Sequence, residues 1–143
     1  MPRVYIAAPA PLIDHARALR NVLVAAGDQV TARWLDVPFE DTPAAARMDL
    51  DDIDAADLLI ALNPEPWRQK GTGGRHVELG YALARGKQVL LVGARTNVFH
   101  YDARVTFLPM SPATLTWWCY QRAAVAPSPA TVAGMVAALE PCS

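Results

Sequence analysis

The sequence predicts an α/β fold, a doubly wound, flavodoxin- or Rossmann-like parallel five-stranded sheet with helices on both faces. Three observations predict it. Apolar runs of strand length alternate with stretches of helical periodicity, the order that builds parallel strands joined by crossover helices. The runs "LLIAL" and "VLLV" are apolar without a break, as strands covered on both faces must be. Gly27 and Gly86 follow helical stretches directly, where a chain leaves a helix and turns back towards a sheet.

The elements follow in order. Residues 3–8, "RVYIAA", form a first strand that ends in a proline-rich loop. Residues 12–26 form a helix with Leu12, Ala16, Leu19, Leu23 and Ala26 on one side, stopped by Gly27. Residues 29–35, "QVTARWL", alternate like a second strand. Residues 42–56 form a second helix, with Thr42 as N-cap and Pro43 at the first helical position. Residues 57–62 form the third strand. A glycine-rich loop leads to a helix in which Val77, Leu79, Tyr81, Ala82, Leu83 and Ala84 leave little solvent face. Gly86 ends it, and residues 88–92 are the fourth strand. Residues 104–108 make a fifth strand, and helices near 112–122 and 129–140 complete the chain.

Composition narrows the function classes. The 143 residues form one domain, 1–143, with an apolar fraction of 52%. A net charge of −1 gives no electrostatic case for a nucleic acid polymer or an anionic membrane. The apolar runs are too short to span a bilayer, and "MPRVYIAAPAPLIDHAR" lacks the shape of a signal peptide, so a cytoplasmic location is expected. Cys119 and Cys142 have no metal-type spacing and are read as reduced thiols.

In a sheet of this kind the ligand crevice lies beyond the C-terminal strand ends, where the strand order reverses. The loops of residues 8–11, 63–74 and 93–101 converge there. Glu78, in the first turn of the helix after the third strand, therefore stands at the crevice. As a surface carboxylate it would complement the helix N-terminus, with Arg75 able to pair with it. As a site residue it would be kept ionised by that helix end, as a nucleophile requires. In "MDLDDIDAAD", Asp49 lies on the inner boundary of its helix beside Leu50 and Ile53, whereas Asp51, Asp52 and Asp54 are read as solvated. Their spacing scatters the carboxylates around the helix, so no metal site is predicted. "GTGGRH" is neither a dinucleotide fingerprint nor a P-loop. Backbone N–H groups ahead of a helix nevertheless bind anions, and Lys70, Thr72, Gly73, Gly74, Arg75 and His76 surround them. Tyr5 is placed so that its hydroxyl can reach the crevice. "TWWCY", residues 116–120, is read as core packing or as a subunit interface.

Taken together, "VYIAA", "GDQVTARWL", "MDLDDIDAADLLIAL", "GTGGRHVELGYALARGKQVLLVG" and "NVFHY" resemble the nucleoside 2-deoxyribosyltransferase family, which includes deoxynucleotide N-hydrolases. The resemblance covers residues 3–108. It implies that Glu78 is the nucleophile, that Asp49 protonates or holds the leaving base, and that Tyr5 orients Glu78. It implies a small nucleoside or nucleotide substrate, no cofactor, and a homodimer or higher homo-oligomer in which Asn97 reaches a neighbouring site. Thr72 stands six residues before Glu78, where family transferases carry an aspartate for a 5′-hydroxyl and nucleotide hydrolases a serine for a phosphate. The first loop, "APAPLID" with Ala8 and Pro9, lacks the Ser, Arg and Gly residues of the nucleotide hydrolases. Hydrolysis and base transfer both stay open, as does a nucleoside against its 5′-monophosphate. The alternatives are a phosphoribohydrolase of the cytokinin-activating type, a non-catalytic nucleotide-binding module, and an assembly subunit built on "TWWCY".

Overall fold

The computed structural model describes residues 2–64 and 72–125. Its strands are β1 (Arg3–Ala7), β2 (Gln29–Val30), β3 (Leu58–Asn63), β4 (Gln88–Gly93) and β5 (Val105–Leu108). They form one sheet in the order β2-β1-β3-β4-β5, with every pair parallel. The helices are α1 (Ile13–Ala25), α2 (Pro43–Asp54), α3 (Gly74–Ala84) and α4 (Pro112–Val125). α1 packs against α4 and α2 against α3, so the sheet is a doubly wound α/β layer with helices on both faces. β3 is buried along its whole length, which accounts for its unbroken apolar sequence.

The strand order places the switch point between β1 and β3. From β1 the chain crosses to one side to make β2, then returns to the other side to make β3. The C-terminal ends of these two strands splay their loops apart and leave a crevice.

Three boundaries differ from the sequence expectation in ways that shape the crevice. Residues 29–35 were expected as one strand, yet only Gln29 and Val30 pair with β1. The Trp34 indole Nε1 donates to the Ile6 carbonyl at 2.8 Å, and the buried Asp52 carboxylate accepts from the Arg33 amide at 2.9 Å. These bonds draw the chain off the sheet edge into a short 3₁₀ turn, Arg33–Leu35. The first helix starts at Ile13, one residue later than expected, because Ala10–Leu12 form a 3₁₀ turn closed by the Leu12 amide on the Pro9 carbonyl. α3 starts at Gly74, three residues earlier than expected. Gly73 takes the N-cap position at φ +85°, a left-handed conformation that costs glycine little.

Glu78 consequently lies in the second turn of α3 rather than the first. The helix is also less covered than its sequence implies: Val77 is 69% exposed, and Gly80 and Ala84 share its outward stripe. "TWWCY" divides between its two readings. Cys119 is buried and Trp118 packs on the core, while Trp117 and Tyr120 are exposed. Among the described residues no helix is long and apolar enough to cross a membrane. The expected helix at 129–140, Lys70 and Cys142 lie outside the described residues.

Candidate active site

A cavity of about 250 Å³ opens at the switch point. Its walls are Ala8–Ala10 after β1, the segment from Trp34 to Glu40, Ala45, Met48 and Asp49 on α2, and Thr72–Arg75 with Glu78 at the start of α3. Tyr5 is fully buried beneath it on β1.

Glu78 is held from below, where the Tyr5 hydroxyl donates to its Oε2. Burial pushes the Glu78 carboxyl up to about 7; the Tyr5 hydrogen bond pulls the other way, and the nearby charge of Asp49 pushes it further up. The sequence reading had the helix N-terminus keeping this group ionised. That field fades within the first turn, and Glu78 lies beyond it, so desolvation wins. The Tyr5 phenol is pushed well above its usual range, first by burial and then by Glu78, so it is a fixed donor at neutral pH.

Asp49 faces the same cavity. Its carboxyl is pushed up by burial and by Asp52, against the pull of Arg33. Its Oδ1 is buried with no hydrogen-bond partner among the described residues. A buried polar atom without a partner is costly, and a substrate group is one way of satisfying it.

The neighbouring aspartates correct the expectation that they are solvated. Asp52 is buried: it accepts from Arg33 Nε at 2.8 Å and pairs with Nη2 at 2.7 Å. Asp54 accepts from the Tyr81 hydroxyl at 2.9 Å and from Arg85 Nε at 2.8 Å. Asp51 alone is as expected, exposed and paired with Arg47 one turn away.

Arg75 does not pair with Glu78. It is 5% exposed and donates from Nε to the Asn63 Oδ1 at 3.0 Å. Asn63 in turn donates from Nδ2 to the Ala94 carbonyl at 2.7 Å and the Thr96 hydroxyl at 3.0 Å, tying the ends of β3 and β4 to the start of α3. Gly93 makes this possible. At φ +114° its backbone approaches Asn63 so closely that a Cβ would collide with the Asn63 carbonyl.

The structure therefore brings Glu78, Asp49, Thr72, Gly73, Gly74, Arg75, Ala8 and Pro9 to one cavity, with Tyr5 beneath. It does not bring His76 and Asn97 there. Both line a second cavity of about 370 Å³ between α3 and the turn Val98–Tyr101. Asn97 caps that turn by accepting from the Phe99 amide at 2.9 Å, and its Nδ2 lies 3.3 Å from His100 Nε2. His100 is pushed down to about 4, mainly by burial. Asn63 and the wall of Trp34, Val37, Pro38, Phe39 and Met48 were not anticipated. Reading "QVTARWL" as a strand hid the wall. The Asn63–Pro64 pair at the end of β3 was the available signal for the other.

Among the described residues no group of three or more His, Cys, Asp and Glu side chains could hold a metal ion. Chemically, the cavity offers a carboxylate that ionises near neutrality, a second acid with an unsatisfied oxygen, and an apolar wall. Trp34 and Phe39 contribute rings whose centroids are 6.1 Å apart.

No protein-family model matches the sequence, and no curated protein is significantly similar to it. Among solved structures, the chain is similar to the CMP N-glycosidase BcmB of Clostridium botulinum. The TM-score is 0.60 and the identity 23%, over 81% of this chain and 96% of that one. At that identity the likeness is one of fold.

Proposed function

We propose that this protein cleaves the N-glycosidic bond of a nucleoside or its 5′-monophosphate, by the two-step route that the deoxyribosyltransferase resemblance implies. One observation carries the reading: the part-buried carboxylate of Glu78, gripped by Tyr5 and open to a cavity at the switch point, forms no ion pair among the described residues. The carboxylates that tie α2 to its neighbours, Asp52 and Asp54, are paired with arginines; this one is desolvated and has no ion-pair partner among the described residues, as suits a nucleophile.

In the first step Glu78 attacks C1′. The C1′–N bond breaks, and the departing base takes a proton from the Asp49 carboxyl. The sugar is then an ester of Glu78. In the second step water, or another nucleobase, attacks C1′ and gives its proton to Asp49, and the Glu78 carboxylate is released. The bond changes need no redox chemistry. Trp34, Phe39 and Met48 suit the flat face of a nucleobase. The fold neighbour acts on CMP, which supports including ribonucleotides beside deoxynucleosides in the assay. The chain works as one domain in a homo-oligomer, in which Asn97 approaches a second copy's cavity. The exposed Val77, Val98, Phe99 and Tyr101 around it favour such an apolar contact.

The test is base release from a panel of nucleosides and 5′-monophosphates, read by chromatography with and without a free acceptor base. Glu78→Gln should fold and lose at least ~10³-fold in rate. Undiminished release by the folded variant would remove Glu78 from the chemistry.

A further inference from the structure

α2 and α3 pack together and run the same way. α2 leads into β3 and α3 follows it, so both helices begin at the crevice and end at the opposite end of the sheet. Near their starts the cavity lies between them: Ala45, Met48 and Asp49 line it from α2, and Gly74, Arg75 and Glu78 from α3. At their ends they are tied. Asp54, the last residue of α2, accepts at one oxygen from the Tyr81 hydroxyl at 2.9 Å and at the other from Arg85 Nε at 2.8 Å. Lys87 Nζ donates to the Asp54 carbonyl at 2.9 Å. The Arg85 guanidinium also lies over the Tyr81 ring, 5.9 Å from its centroid. None of these four residues lines the cavity.

The two donors stand on the stripe of α3 that carries Glu78. Residues 78, 81 and 85 are spaced i, i+3, i+7 and share one helix face. Tyr81 and Arg85 therefore grip α2 one and two turns below the carboxylate that opens to the cavity. Buried Ile53 holds α2 on the core, but an apolar contact has no preferred direction. A carboxylate bonded at both oxygens, once by a guanidinium, fixes distance and angle. We propose that Asp54, with Tyr81 and Arg85, is a positioning cluster that pins α2 to α3 at one end and so sets, at the other, the width of the cavity and the separation of Asp49 from Glu78. The roles of those two acids rest on the glycosidase reading; the pin does not. In that reaction Asp49 must reach the leaving base while Glu78 reaches C1′, and a helix free to swing loses that alignment. Trp34 and Phe39, which wall the cavity, belong to neither helix.

The test follows the Glu78 carboxyl by carbon NMR in the full chain, assigned with Glu78→Gln, in the wild type, Asp54→Ala and Tyr81→Phe. Tyr5 on β1 and Asp49 on α2 are the groups that act on its titration. An α2 that swings away takes the Asp49 charge with it and admits water. The Glu78 midpoint should therefore fall by about half a pH unit in Asp54→Ala. It should fall by less in Tyr81→Phe, which removes one hydroxyl and keeps the ring. Asp57→Ala breaks an ion pair with Arg3 where β1 and β3 begin, and should leave the midpoint in place. In base release, Asp54→Ala should lower kcat ~10-fold and change KM less than ~2-fold, because the wall against the base is kept. Should Asp54→Ala not fold, Tyr81→Phe decides. An unmoved midpoint in a folded pin variant, or an equal fall in Asp57→Ala, overturns the pin. The two readings can fail apart. A shifted midpoint in a protein whose wild type releases no base keeps the pin and removes the glycosidase. Base release with an unmoved midpoint does the reverse.

Discussion

Asp52 and Asp49 stand three residues apart on α2, and their carboxylates meet opposite conditions. Asp52 is nearly sealed from water but fully engaged, taking the Arg33 amide, its Nε and its Nη2. Asp49 has an oxygen buried with nothing bonded to it. The same contrast recurs between helices. Asp54 is drawn below the usual carboxylate range by the Tyr81 hydroxyl and Arg85, and Asp102 is drawn down to about 2 by Arg104. Glu78 is pushed up to about 7. Among the described residues Asp28, at the opposite end of the sheet, is the other acid with buried, unbonded oxygens, pushed up to about 6 by burial. Where the fold uses an acid to hold two segments together, it supplies a donor. At the crevice the acids are left underbonded, and that shortage is what a substrate can relieve.

The sharpest way to break this comparison is to remove the underbonded charge. The folded-state pKa of Glu78 is raised, so its contribution to stability is fully present below the unfolded value. It is lost as pH rises through about 7. Glu78→Gln, neutral at every pH, should therefore be more stable than the wild type at pH 8, by up to about 3 kcal/mol, and should lose this advantage near pH 4.5. Denaturant titrations at the two pH values measure it. A variant less stable at pH 8 would mean that Glu78 is structural.

Removing the satisfied charge should do the opposite. Asp52→Ala deprives the Arg33 amide and guanidinium of their acceptor. It should cost about 2 kcal/mol in a denaturant titration, moderated by the exposed Arg33 side chain regaining water. The loss should also loosen the turn that presents Trp34, raising KM more than it lowers kcat. A neutral outcome would show that the Asp52 bonds add nothing to the 33–35 turn.

A smaller effect is expected from Tyr5→Phe. Without the phenol, the carboxylate of Glu78 loses its donor and its pKa climbs further. The ascending limb of the rate profile in kcat/KM, expected near pH 7 in the wild type, should move to higher pH, with the rate at pH 7 falling about tenfold. An unmoved limb would mean that Tyr5 does not tune Glu78.

Much of this was legible in the sequence because it rests on local pattern. Continuous apolar runs gave β3 and β4, the Thr42–Pro43 pair marked the start of α2, and glycines marked the helix ends. The approach of Glu78 and Tyr5 followed from topology, since loops after β1 and β3 must meet at a switch point; Asp49, on α2, was expected there only from the family resemblance. What escaped is settled by long-range bonds. Nothing local in "QVTARWL" says that Trp34 will reach the Ile6 carbonyl, or that Asp52, nineteen residues after Arg33, will hold that turn. Arg75 looked like a partner for Glu78 three residues on; Asn63 claims it from another element. The early start of α3 turned on one glycine φ angle, which moved Glu78 out of reach of the helix-end field and made burial the dominant influence on it.

The central claim is that Glu78 becomes covalently joined to the sugar. A 2-fluoro-substituted nucleoside 5′-monophosphate, whose electron-poor C1′ slows the second step, should accumulate that ester in the wild-type protein. Intact-mass and peptide-fragment spectrometry should then show one added sugar phosphate on the Glu78 peptide, together with one equivalent of free base. Release of base with no adduct at any time, or an adduct on another residue, would contradict the account.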